Sequence, residues 1–387
     1  MTDKRETRAW VDIDLDALAH NYQSLRNWVR MSEKPGEPVK LLGMVKANAY
    51  GHGAPAIGKK LQELGAEMLA VACLDEAIQL RKAGVAIPIL CLGQTPVELA
   101  DDLMEYTVTQ TVGDLELGRA LSAAAVAAGK ELPIHIKLDT GMGRLGFMWR
   151  EGSQEETVEQ IRQLCALPSL RAEGLFTHFA AADEEIDYTE LQGRRFSEAR
   201  KVLEQAGIVF ENYHCASSAA VLNYPWTHMN MVRPGIALYG HYPDPASEIR
   251  GAPDLRPVMT LKARVTSVRT MPQGAKLGYG CTAVLERESR IAVLSIGYAD
   301  GLPRSLSNKL QVKLHGVPCP ILGRICMDMC MADVTALPQV KVGDVAVIYD
   351  RDLNRVAELA GTITDELVCR VSSRVPRVYW ENGARIP

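Results

Sequence analysis

Groups that do chemistry fall where short apolar runs of this chain end. Lys46 closes LLGMVK, with Tyr50 and His52 in the loop behind it. Lys137 and Asp139 close PIHIKLD and lead into GMGRLG, which carries Arg144. Thr177 and His178 follow AEGLF, His214 ends IVFENYH just before Ser217 and Ser218, and Arg233, Pro234 and Gly235 follow NMV. A lysine that is desolvated or beside other cations is a nucleophile toward carbonyls, imidazoles and phenols move protons, and arginines hold carboxylates and phosphates. Taken singly, each has a plain structural reading: strand-end lysines are usually solvated, lone histidines usually sit satisfied in loops, and Ser217–Ser218 suits a helix N-cap. Polar groups closing five of eight apolar runs form a pattern that single readings do not explain.

The elements that would position these groups alternate. Eight strand candidates begin near Leu41, Met68, Ile87, Thr107, Pro133, Ala172, Ile208 and Asn230. Helical periods cover Leu15–Arg30, Asp75–Ala83, Asp114–Ala128, Gln154–Cys165 and Glu190–Ala206. Strands and helices in this order predict an α/β architecture, a (β/α)8 TIM-type barrel, whose functional groups gather at the C-terminal strand ends. A doubly wound open sheet is the alternative, but the first strand lacks the Gly-rich G-x-G-x-x-G turn. Near Gly240 the texture changes. HYPDPASEIRGAPDLRP reads as a linker, and VMTLKARVTSVRTM, RIAVLSIGYA, KLQVKLHG, PCPILG, MCMADV and DVAVIYD then read as strands. Short helical patterns return only at Arg355–Glu358 and Glu366–Val371. The expected organisation is a barrel over 1–245 and a smaller, mostly β domain over 246–387.

Composition narrows the class. The chain has 387 residues, 47% hydrophobic and 23% charged, as in ordinary globular proteins. A net charge of −4 gives no reason to expect a nucleic acid or an acidic membrane as partner. Nine scattered cysteines, an odd number, look like reduced intracellular thiols, and Cys326 and Cys330 lack a second pair at zinc spacing. The charged N-terminus has no apolar core, and no apolar run approaches a membrane span. A cytoplasmic enzyme without a metal is expected.

The blocks VKANAYGHG (45–53), KLDTGMGRLG (137–146), THFAAAD (177–183) and MVRPGIALYG (231–240) resemble signatures of the alanine racemase family, fold-type III pyridoxal-phosphate enzymes. The resemblance continues through GYG (278–280), IGYADG (296–301), GRICMDM (323–329) and RVPR (374–377), in family order and spacing over nearly the whole chain. It implies racemisation of L- and D-alanine, a homodimer with shared active sites, and D-alanine supplied for peptidoglycan. In that pattern Lys46 holds pyridoxal 5'-phosphate and serves one face of the substrate Cα. Tyr279, delivered from the other subunit, is the base for the opposite face, helped by His178 and Arg233. A phenol titrates near pH 10 and needs such neighbours to accept a proton.

Arg233 would face the cofactor's pyridine nitrogen, and its permanent charge would leave that nitrogen unprotonated, weakening the cofactor as an electron sink and limiting side reactions. Tyr50, Ser218 and the backbone N–H groups of Gly235 and Ile236 would hold the phosphate. Arg144 and the Met327 N–H would meet the substrate carboxylate, and Lys137 stands where the family often carries a carbamylated lysine. His214, Tyr298, Asp328 and Asp365 are supporting positions.

Two positions depart from the family pattern. Ser217 replaces a common Asn, and Asp365 replaces the usual tyrosine that donates to the phosphate and narrows the pocket. Family members that also racemise serine carry a smaller polar residue at the second position, so an alanine/serine racemase is the competing reading. As a plain structural role, Asp365 would N-cap the helix expected at Glu366–Val371. A non-catalytic pyridoxal-phosphate carrier would lack the β domain, and a related decarboxylase would need a catalytic cysteine in a different C-terminal block.

Overall fold

The computed structural model describes residues 6–33, 36–243 and 251–386, so part of the expected linker, 244–250, lies outside the described residues. The chain opens on a strand that the sequence reading does not anticipate, β1 (Ala9–Asp14), followed by the helix Leu15–Arg30. Asp14 caps that helix by accepting the Ala17 N–H at 2.9 Å. Leu18, Tyr22, Leu25 and Val29, spaced three and four apart, are buried along one side.

All eight apolar runs form strands. They are β2 (Lys40–Met44), β3 (Met68–Val71), β4 (Ile89–Cys91), β5 (Val108–Val112) and β6 (Leu132–Asp139). After the short β7 (Phe147–Met148), which pairs only with β6, come β8 (Leu170–Phe176), β9 (Asn212–His214) and β10 (Met231–Val232). The eight barrel strands run parallel in the order β10-β2-β3-β4-β5-β6-β8-β9. The ends of this path come together through the Arg233 N–H on the Ala216 carbonyl at 2.9 Å and the Tyr213 N–H on Asn230 Oδ1 at 2.7 Å. The result is a near-closed barrel. Strands β3 and β4 are wholly apolar because both faces are covered, whereas β5, β6 and β9 also bury polar groups such as Gln110, His135 and His214.

The second sheet begins with the long β11 (Met259–Met271), followed by the two-stranded hairpin of β12 (Lys276–Leu277) and β13 (Ala283–Val284). Next come β14 (Ser289–Leu294), β15 (Gln311–Leu314), β16 (Val317–Pro320), β17 (Cys330–Asp333), β18 (Val345–Tyr349), β19 (Arg377–Glu381) and β20 (Ala384–Arg385). The sheet takes in β1 as well, antiparallel to β11 and parallel to β19. β1 is short and alternates Val11 and Ile13 with Asp12 and Asp14. Only pairing with segments some 250 and 365 residues away gives it a place.

The two regions meet at the turn after β2. A Cβ on Gly51 would lie 2.1 Å from the Val368 carbonyl oxygen, and one on Gly53 would lie 1.9 Å from the Tyr379 hydroxyl. Both glycines have positive φ, +78° and +100°, so glycine is required on two counts.

Candidate active site

β2 stops at Met44, two residues short of Lys46, and Lys46 opens a turn of rare geometry. Ala47, Asn48, Ala49 and Tyr50 have φ of 53°, 55°, 54° and 51°, a left-handed turn built from non-glycine residues. Such backbone costs about 1–2 kcal/mol per residue and persists only where surrounding contacts hold it. The Ala49 N–H donates to the Val45 carbonyl and the Gly51 N–H to the Ala47 carbonyl, while His52, fully buried, closes the turn. His52 Nδ1 donates to the carbonyls of Tyr50 (2.8 Å) and Ala49 (3.0 Å), and its ring stacks on Tyr239 at 4.4 Å. The turn aims Lys46 and Tyr50 into one cavity of about 350 Å³ at the C-terminal ends of the strands.

Lys137, Arg144, His178, Ser217, Ser218, Arg233, Gly235, Ile236 and Asp365 line the same cavity, so the positions expected from the barrel face are brought together with Asp365. Tyr50 and Gly235 are in close register, since a Cβ on Gly235 would fall 2.5 Å from the Tyr50 hydroxyl. Ser218 Oγ accepts the N–H groups of Gly235 (2.9 Å) and Ala237 (3.2 Å), so in this state the Gly235 N–H is committed to Ser218. Ser217 occupies the N-cap position of the helix Ser218–Asn223 but makes no side-chain capping bond.

Arg233 is buried and fully ordered by its partners. It donates to His214 Nδ1 at 2.9 Å, to the carbonyls of Thr177 and Cys215, and to His178 Nδ1 at 3.2 Å. A guanidinium only donates, so His214 carries its proton on Nε2 and passes a hydrogen bond to His135 Nδ1 at 2.8 Å. The chain fixes three tautomers in turn. Burial, reinforced by the charge of Arg233, pushes His178 and His214 well below the ordinary histidine range and His135 to about 3, so the imidazoles stay neutral. Burial also lowers Arg233, to about 10, which leaves it charged at neutral pH. His135 is the member of this set that the sequence reading missed. Its signal was the alternation His135, Lys137, Asp139 against Ile134, Ile136, Leu138, which sends the first three to one face.

Burial lowers Lys46, and Arg144 adds to the effect, while Asp365 and Cys369 oppose it. Burial, then Arg233 and Arg144, take Lys137 well below an ordinary lysine, and its Nζ sits 4.5 Å over the Phe176 ring. Asp365 is half-buried and raised, chiefly by burial, with Lys46 pulling the other way. It stands in the first turn of the helix Thr364–Cys369, whose cap position is Ile363. A capping role for Asp365 is thereby removed, because its side chain belongs to the cavity wall.

Five expected positions do not line this cavity: His214, which reaches it only through its bond from Arg233, and four in the β-rich region. Tyr279 is 72% exposed in a turn at the β12–β13 hairpin, and Met327 and Tyr298 are 52% and 43% exposed. Asp328 pairs with Arg374 at 2.6 Å, and Arg374 and Arg8 both bind the buried Asp300, which holds the Gly297 N–H. This network braces the Met327–Asp328 segment, with Arg8 also donating to the Asp328 carbonyl at 3.1 Å.

The donor set fits a phosphorylated, aromatic aldehyde cofactor with an amino-acid substrate. Lys46, Lys137, Arg144 and Arg233 line one cavity with the neutral His178, and its wall has a notch at Gly235 too small for any side chain. Such a site is that of a β/α-barrel enzyme with lysines and arginines gathered in a cavity at the C-terminal strand ends.

The chain matches the family models described as alanine racemase, N-terminal domain, over residues 13–243 and alanine racemase, C-terminal domain, over 258–379. It belongs to the alanine racemase family. It is 44% identical to the alanine racemase of Desulforamulus reducens, over 96% of this chain and 98% of the relative. It is 43% identical to that of Methanococcus maripaludis, over 96% and 98%. Among solved structures, alanine racemase of Clostridium difficile 630 superposes with a TM-score of 0.91 at 36% identity, covering 98% of each chain. The Bacillus anthracis alanine racemase with bound L-Ala-P gives 0.88 at 34%, covering 98% and 97%.

Proposed function

We propose that this chain interconverts L- and D-alanine with pyridoxal 5'-phosphate, supplying D-alanine for peptidoglycan, and that it works as a homodimer in the cytoplasm. The observation that carries the reading is Lys46, partly desolvated and beside Arg144, aimed with Tyr50 and Arg233 into one cationic cavity. The bound cofactor supplies an electron-withdrawing system that acidifies the substrate Cα–H. The residues supply the rest. Lys46, with its pKa lowered, is the amine that holds the cofactor and then takes or returns the Cα proton on one face. Tyr50 and Ser218, with the Gly235–Ile236 backbone, hold the phosphate, and Arg144 orients the substrate carboxylate. Lys137, its amine shifted toward the neutral form by burial and then by Arg233 and Arg144, is drawn to the form that takes up carbon dioxide, and a carbamate there would orient Arg144.

A racemase needs a second proton donor on the opposite face, and Tyr279 does not line the Lys46 cavity of its own chain. Its exposure, with that of Met327 and Tyr298 nearby in sequence blocks of the same domain, supports a site completed by the partner subunit. The nine cysteines are all free, which supports the cytoplasmic setting, and no helix among the described residues is long and apolar enough to cross a membrane. The alanine/serine reading has one observation in its favour, the Asp365 carboxylate in the cavity wall. Turnover of L-alanine and L-serine side by side, following chirality in both products, tests the assignment. Racemised alanine is expected, and inertness toward both would end it.

A further inference from the structure

Glu76 stands in the first turn of the helix Leu74–Lys82 and does not line the cavity. Its carboxylate faces the turn after Lys46. Oε1 accepts the Ala47 N–H at 2.6 Å, and Oε2 accepts the Ala72 N–H at 2.8 Å, just beyond β3. One anion thus ties together the C-terminal ends of two neighbouring barrel strands, β2 and β3.

The first of those bonds falls at a critical peptide. The Ala47 N–H belongs to the peptide unit that joins Lys46 to the left-handed turn, whose last member is Tyr50. A helical turn leaves its first N–H groups without internal acceptors, and an ionised acceptor makes a shorter and stronger bond than a neutral one. At its far end the Arg377 guanidinium holds the Gly51 carbonyl at 2.9 Å, and the turn's further ties are neutral, such as Asn48 Oδ1 on the Ala54 N–H and the His52 ring on the Tyr50 carbonyl. L-residues relax out of left-handed backbone when the contacts that hold them are removed.

We propose that Glu76 is a positioning residue of the Lys46 site, holding the peptide that fixes Lys46 relative to Tyr50. It acts through backbone alone. Its value for cofactor binding rests on Lys46 being the cofactor lysine, whereas its hold on the turn does not. An acidic residue in a helix's first turn is also favourable to the helix dipole. Asp75, exposed one position earlier, shares that place without making the two bonds and serves as the control.

The test compares Glu76→Ala, Glu76→Gln and Asp75→Asn with the parent protein by amide hydrogen exchange and by titration with pyridoxal phosphate. Glu76→Ala should speed exchange across residues 45–53 about tenfold and weaken cofactor binding about tenfold. Glu76→Gln keeps one acceptor oxygen and should fall between, and Asp75→Asn should match the parent. If Glu76→Ala does not fold, Glu76→Gln carries the comparison. Exchange over 45–53 that stays unchanged, or that rises no more than over 74–82, would overturn the proposal. So would an equal effect from Asp75→Asn. Faster exchange at 45–53 with unaltered cofactor binding would retain the hold on the turn and count instead against Lys46 as the cofactor lysine.

Discussion

The Tyr50 hydroxyl stands 2.5 Å from the point where a Cβ on residue 235 would project. The phenol occupies space that only glycine at 235 leaves open. Gly235→Ala should therefore displace Tyr50 while the barrel still folds. Cofactor affinity should fall about tenfold or more, in line with the ~1.5–3 kcal/mol expected for one hydrogen bond to a charged group. Equilibrium titration with pyridoxal phosphate reads this directly, and parent-like affinity would show that Tyr50 does not serve the phosphate.

Buried neutral histidines set the acid side of stability. His52 and His135 are pushed to about 3 and His241 to about 4, in each case mainly by burial. Unfolding returns each to about 6.5, so below that pH the unfolded chain binds more protons than the folded one. Stability is therefore intact above about pH 6.5 and is lost as pH falls toward the folded-state values, by ~1.4 kcal/mol per pH unit for each proton taken up. Denaturant unfolding at pH 7.5, 6 and 5 should show uptake of more than one proton at the lowest pH. His135→Asn should flatten the slope, and a curve level from pH 7.5 to 5 would contradict buried neutral imidazoles.

Much of this was legible in the chain, for a physical reason. Barrel strands covered on both faces appear as continuous apolar runs, and the groups that close them, Lys46, His178, His214 and Arg233, were readable as strand-end chemistry before any geometry. Two features were not. β1 has meaning only through partners far away in sequence. The left-handed turn at 47–50 is built partly from alanines, which carry no local signal for that conformation. Asp365 was legible at the pocket through the family resemblance alone, because its helix reaches the cavity by packing on Gly51, a contact between positions more than 300 residues apart that no periodicity encodes.

A site shared between subunits makes a complementation prediction. Homodimers of Lys46→Ala and of Tyr279→Phe should each racemise poorly. Subunit exchange between them should restore activity, since one site in each mixed dimer then carries both parent residues. With exchange verified by a mass-tagged subunit, absence of recovery would place both residues on the same chain's site or remove Tyr279 from the chemistry.

Asp365 sets a prediction on substrate breadth. Half-buried beside Lys46, it leaves an acceptor in the wall where a tyrosine ring would narrow the pocket. Serine should be a measurable substrate, and Asp365→Tyr should lower kcat/KM for serine relative to alanine by about tenfold, the low end of what one small group in a pocket controls. An unchanged serine-to-alanine ratio, with alanine turnover intact, would retire the idea.

The central claim is that Lys46 is the residue that carries the cofactor. Borohydride reduction of the protein loaded with pyridoxal phosphate converts the lysine–cofactor bond into a stable linkage that peptide mapping can place. The account predicts one labelled peptide, spanning 45–53, with the label on Lys46 and none in Lys46→Ala. A label on Lys137, the other desolvated lysine of the cavity, or on any lysine outside it, would contradict the account at its root.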